Sequence, residues 1–183
     1  MSAAARMDAF SDWGDARRAG RLRGAESFLG PQVHCARWRQ QTGIAGKRVA
    51  IVGTGAAVAR ILPPIAAKAR RVTVFQHDPV WVLPYVPGLG RAEEVVRLLP
   101  SALTRRVAAV NLRVQVRDSW IRRQLTPESS TAVACHNRYY RTLRRPNCKL
   151  VTWPIARLAP HGIRTVDGIE HRVDCIIYAE ENP

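Results

Sequence analysis

Residues 47–60 read K-R-V-A-I-V-G-T-G-A-A-V-A-R. Val49, Ala50, Ile51 and Val52 form a continuous apolar run, the pattern of a parallel strand covered on both faces. Gly53 then permits a tight turn. Gly55 lets backbone N–H groups approach a pyrophosphate at the start of a helix, whose N-terminal dipole favours negative charge. The backbone of Gly53, Thr54, Gly55, Ala56 and Ala57 is therefore the candidate phosphate cradle. Val58 stands at the third small position of G-x-G-x-x-G, where glycine or alanine allows the closest packing of helix on strand. Alone, a G-T-G after an apolar run is as often a plain strand-to-helix corner.

Outward from this corner, a strand over 47–52, a helix over 55–70 and a strand over 72–75 make a right-handed βαβ unit. Pro63 and Pro64 lie inside the helix and are expected to kink it, because each removes a backbone donor. Residues 85–110 include P-G-L-G. Val95, Val96, Leu98, Leu99 and Leu103 then suit a short basic amphipathic helix. From Leu150 the pattern changes to strands and turns. Leu150 to Thr152 reads as a parallel strand, and His161-Gly162 and Asp167-Gly168 as tight turns of a small β-meander. Val173 to Tyr178 reads as a further buried strand.

The chain has 183 residues, enough for one domain that buries about 70% of its unfolded surface. Its net charge is +15. The basic residues are spread along the chain and are nearly all arginine, with lysine only at Lys47, Lys68 and Lys149. Aromatic residues do not alternate with them as stacking platforms would require, so no specific nucleic-acid function is expected. Cys35, Cys135, Cys148 and Cys175 show no C-x-x-C pair or metal-ligand spacing and read as free thiols of a reducing cytoplasm. No stretch has the length of a membrane span, and the start of the chain lacks the apolar core of a secretory signal.

Upstream of the corner lies F-L-G-P-Q-V-H-C-A-R-W, with Phe28, Gly30, His34 and Trp38 at fixed spacing. F-x-G-x-x-x-H-x-x-x-W followed by G-T-G resembles the signature of Baeyer–Villiger monooxygenases and their flavin-containing monooxygenase relatives; Arg39 after Trp38 is a minor departure. The resemblance continues through V-T-V-F-Q-H-D-P-V-W-V-L-P (72–84), L-R-V-Q-V-R-D-S-W-I-R-R-Q-L-T-P (112–127) and N-R-Y-Y-R-T-L-R-R-P-N-C-K-L-V-T (137–152). It closes over 154–179. It implies an α/β, Rossmann-like FAD/NAD(P)-binding fold: a parallel sheet flanked by helices, with a β-meander. Residues 1–23 are then a flexible lead and 24–183 the NAD(P)-binding domain, with an abbreviated helical insertion near 85–127. The family is an oxidoreductase one, using FAD for the oxygen chemistry and NADPH as hydride donor. Only one glycine fingerprint occurs here, so the FAD-binding domain is expected to be absent and the chain inactive alone.

The resemblance also marks departures. Where the family reads F-Q-R-T-P, with an arginine on the ribose 2′-phosphate, this chain keeps Gln76 but continues with His77 and Asp78. An arginine–phosphate contact contributes about 1.5–3 kcal/mol. His77 replaces part of it only when protonated, whereas Asp78 repels phosphate and could accept from a free 2′-OH, favouring NADH. The plainer alternative is that both are solvated turn residues. Glu128 to His136 carries no counterpart of the family's Lys-Arg pair, whose arginine stabilises negative charge on the flavin and contacts the nicotinamide. Glu180-Glu181-Asn182-Pro183 replaces the family's glycine turn, and the ending reads as a truncation.

In the family, His34 and Trp38 belong to the hinge between the nucleotide domains; here a structural role is expected, Trp38 packing its ring and His34 meeting a local backbone group. His136, His161 and His171 read as surface or turn residues. Three functions stay open: a nicotinamide-dinucleotide domain, NADPH or NADH; a non-catalytic subunit pairing with a separate flavin-domain polypeptide; and a basic nucleic-acid binder.

Overall fold

The computed structural model describes residues 22–38, 43–53, 55–76, 79–84, 101–127 and 133–179. Strand β1 is Gln32–His34, β2 Arg48–Gly53 and β3 Arg71–Phe75, with helix α1, Gly55–Lys68, between the last two. Next come β4 (Trp81–Leu83), α2 (Ser101–Gln115), α3 (Ser119–Gln124), β5 (Val133–Cys135) and α4 (Tyr139–Leu143). The chain closes with β6 (Cys148–Val151), β7 (Ile155–Ala159), β8 (Gly162–Thr165), β9 (Glu170–Arg172) and β10 (Cys175–Ala179).

Five strands form one sheet in the order β1-β10-β2-β3-β6, and every neighbouring pair is parallel. The alternation of side chains across each strand divides the apolar run in two. Val49 and Ile51 join Val72, Val74 and Ile177 on the face covered by α1, through Ala57, Val58, Leu62, Ile65 and Ala66. Ala50 and Val52 join Phe75, Ile176 and Tyr178 on the other face, under Leu158, Ile163 and Val173 of the antiparallel β7-β8-β9 meander and its flank. Both faces are dry, which is why β2 carries no polar alternation.

Helix α1 runs as one element through Pro63 and Pro64. The prolines are half-buried, while Leu62 and Ile65 are fully buried, so packing outweighs the two lost backbone donors. The strand expected over 150–152 is present as β6, paired parallel with β3. Both expected tight turns are present, and the strand expected over 173–178 is β10.

Most of the helix expected within 85–110 lies outside the described residues, Val95, Val96, Leu98 and Leu99 included. From Ser101 the chain forms the fifteen-residue α2. Its buried side is Thr104, Ala108 and Leu112, while Leu103 points to solvent, 47% exposed. One expectation needs correction. His171 is a strand residue rather than a turn residue. Its ring meets Phe75 edge-on at 5.3 Å, and Nε2 lies 3.3 Å from Thr165 Oγ1. Strand β1, parallel to β10, and the parallel β4–β5 pair are elements beyond those expected from the sequence. Leu22 packs on the meander-side cluster, and the Arg23 carbonyl accepts from Leu158 N at 2.8 Å.

Candidate functional site

From β2 the chain winds through α1 to β3 and then β6 on one side, and returns to lay β10 on the other. The direction of winding reverses at β2, so the carboxyl ends of β2 and β10 border the topological switch point, where open α/β sheets bind ligands. Gly53 and Ala179 face each other there in register.

Gly53 has φ +153°, and a Cβ on it would run directly into the carbonyl of Ala179. Only glycine fits. Gly55 opens α1, and a Cβ there would lie 2.5 Å from Val80 Cγ2 and 3.1 Å from Gln76 Nε2. The absent side chain thus admits the chain that follows β3, a packing reason beside the phosphate reason read from sequence. The first turn of α1 holds no acidic residue, so nothing in that turn opposes an anion at the helix start. Ala56 is half-buried; Ala57 and Val58 are fully buried, so the third small position is filled by a valine that the core accommodates. Thr54, His77 and Asp78 lie outside the described residues, as do Glu128–Ala132 and Glu180–Pro183.

Gln76 is buried at the carboxyl end of β3, and its backbone N–H donates to the Val151 carbonyl at 3.1 Å. Its Oε1 accepts from the Tyr139 hydroxyl at 2.6 Å. Burial first, then neighbouring Tyr140, pushes the Tyr139 phenol far above its ordinary range, so it stays a protonated donor. Burial also pushes Tyr140 up to about 12. Tyr139 fixes the side-chain amide beside Gly55, and sequence reasoning gave it no role. The available signal was the Tyr-Tyr pair in a polar, arginine-rich stretch.

The upstream signature splits across the sheet. Phe28 is buried in the meander-side cluster, and a Cβ on Gly30 would meet the Asp174 carbonyl at 2.5 Å and the Phe28 ring at 2.7 Å. This pair packs near the start of β10. His34 ends β1 beside Tyr178, and its Nδ1 accepts from the Ala36 N–H at 3.3 Å. Trp38 packs on the α1-side cluster. The structure therefore gives both residues the structural contacts expected of them, two strands away from Gly53.

Of the other histidines, His136 is half-buried and accepts on Nδ1 from the Arg138 N–H at 3.2 Å. Burial, and then Arg138, lowers its pKa. His161 is exposed in a turn. The four cysteines are free thiols, three half-buried and Cys175 buried. Among the described residues no group of three or more His, Cys, Asp or Glu could hold a metal ion, and no helix is long and apolar enough to cross a membrane.

The fold and its glycine corner define a Rossmann-like α/β protein. Solved structures agree on the fold. An oxidized steroid monooxygenase bound to NADP superposes with a TM-score of 0.72 at 22% identity, covering 87% of this chain and 43% of that one. Open cyclohexanone monooxygenase gives 0.72 at 20%, covering 87% and 45%. No protein-family model matches the chain. Among curated proteins, a Baeyer–Villiger monooxygenase of Streptomyces coelicolor is 28% identical over 85% of this chain and 36% of its own length. An uncharacterized monooxygenase of Mycobacterium tuberculosis is 30% identical over 86% and 38%. A Baeyer–Villiger monooxygenase of Pseudomonas aeruginosa is 27% identical over 86% and 36%. The chain is a homologue of the Baeyer–Villiger and FAD-binding monooxygenases. It spans less than two-fifths of the length of these three relatives.

Proposed function

We propose that this chain is the NAD(P)-binding part of an FAD- and NADPH-dependent monooxygenase, holding a nicotinamide dinucleotide at the Gly53–Gly55 corner. The observation that carries the reading is Gly53 itself. It sits at the switch point, pressed on the Ala179 backbone, and feeds straight into a helix start free of acidic side chains. Gly53, Gly55, Ala56 and Ala57 would hold the pyrophosphate, with Thr54 between them in sequence. Gln76, fixed by Tyr139, would border the dinucleotide, with His77 following it. When bound, the nicotinamide supplies hydride to a flavin.

The sequence holds one strand–glycine–helix fingerprint, so it accounts for one of the two dinucleotide sites such a reaction needs. We propose that the chain alone binds without turning over, and that FAD chemistry belongs to polypeptide beyond these residues. Titration of the purified chain with NADPH and NADH tests this. Saturable binding of either is expected; none at millimolar concentration overturns the reading.

A second reading, an interaction subunit that completes a separate flavin polypeptide, is favoured by one surface. Leu103, Val107, Val110 and Val114 form an exposed stripe along α2, opposite its buried side. Such stripes mark association surfaces. Co-expression with a flavin domain from a relative would give a stable complex under this reading, and two separate species if it is wrong.

A further inference from the structure

Away from the glycine corner, a pocket of about 300 Å³ opens between α2, α3 and β4. Trp81 and Leu112 give it an apolar floor, and both are buried. Arg113, Arg122 and Arg123 stand on its wall with the hydroxyl-bearing Ser119. Among the described residues no carboxylate lines it. Among the described residues none of the three guanidiniums is salt-bridged. Asp118, the acid next to the pocket in sequence, is committed elsewhere: its Oδ1 caps α3, accepting from Trp120 N at 2.8 Å and Ile121 N at 3.1 Å.

The pocket is separate from the proposed dinucleotide site. Along β4, Val82 faces the core that holds α1, while Trp81 and Leu83 face the other way, against Ala108 of α2. Three like charges around one small concavity repel one another, and an anion between them removes that repulsion. Guanidinium forks match phosphate oxygens in pairs. A phosphate monoester carries about −1.5 to −2 charges near neutral pH, closer to three guanidiniums than a carboxylate is. The flat apolar floor suits the rest of such a molecule.

We propose that this pocket binds a small organic phosphate monoester with an apolar, ring-bearing body, the phosphate held by Arg113, Arg122 and Arg123 and the body resting on Trp81. The chain, titrated calorimetrically, would bind 2-naphthyl phosphate saturably and with one-site stoichiometry. It would bind 2-naphthoate less tightly, and 2-naphthol and inorganic phosphate weakly. Arg113→Gln and Arg123→Gln change exposed side chains and should each weaken naphthyl phosphate about tenfold or more. Arg157→Gln, which removes the same charge from the meander on the far side of the sheet, should leave the affinity within about twofold. Equal weakening by all three variants would show bulk charge at work and overturn the proposal. Competition by NADH, which carries no phosphate monoester, would assign the probe to the dinucleotide corner and overturn it as well, as would equal affinity for 2-naphthol.

Discussion

Gly53 is the residue on which the nucleotide corner depends. Its φ of +153° and its contact with the Ala179 backbone leave no room for a side chain. Gly53→Ala should destabilise the chain by about 1–3 kcal/mol, read as a lower midpoint in urea; an unchanged midpoint would show that the β2–β10 contact is looser than described. At the other end of the same strands, Asp174 meets Arg48. Asp174 accepts from Arg48 twice over: from the guanidinium at 2.6 Å and from the backbone N–H at 2.7 Å. The Arg48 side chain, chiefly by hydrogen bonding, holds the Asp174 carboxyl below its ordinary pKa. A carboxyl whose pKa is lower folded than unfolded stabilises the fold above its unfolded value, near 4, and that contribution fades as pH falls through the folded value. Both side chains are more than a third exposed, so solvent screens the pair. Asp174→Asn should cost about 1 kcal/mol or less at pH 7, and the difference from the parent should vanish in acid. A difference that persists there would assign the effect to packing.

At the scale of elements, α2 separates two kinds of apolar residue that look alike in sequence. Leu112 is buried and Val110, two positions earlier, is 57% exposed. Leu112→Ala should cost about 2–5 kcal/mol, while Val110→Lys should change stability by no more than about 0.5 kcal/mol in the monomer. Thermal denaturation compares them, and the reverse ranking would mean that α2 is turned about its axis. The same helix shows why some elements were legible and others were not. The β2–α1–β3 unit announces itself because Val49–Val52 is apolar throughout, a consequence of being covered on both faces, and Gly53 punctuates it. The meander is legible from its turn residues. By contrast β1, β4 and β5 are three residues each, too short for any period to emerge. Helix α2 carries apolar residues on opposite sides, so its pattern does not say which side is buried. Within the site, glycine chemistry pointed to Gly53 and Gly55. The Tyr139–Gln76 contact joins residues 63 apart, which local pattern cannot reveal.

For the whole molecule, the arrangement is a doubly covered parallel sheet with a glycine corner at its switch point and a basic surface. The charge of +15 makes retention on polyanions an expected background, one that salt removes. Dinucleotide affinity should therefore be measured at physiological ionic strength, where the corner rather than bulk charge decides the result. The direct test is amide chemical-shift mapping of the ¹⁵N-labelled chain during titration with NADPH, and separately NADH. Saturable shifts centred on Gly53–Val58, Gln76 and Ala179, persisting in physiological salt, are the expected result. Shifts that never saturate at millimolar dinucleotide, or that gather on the arginine-rich surfaces and leave Gly53–Val58 unmoved, would contradict it.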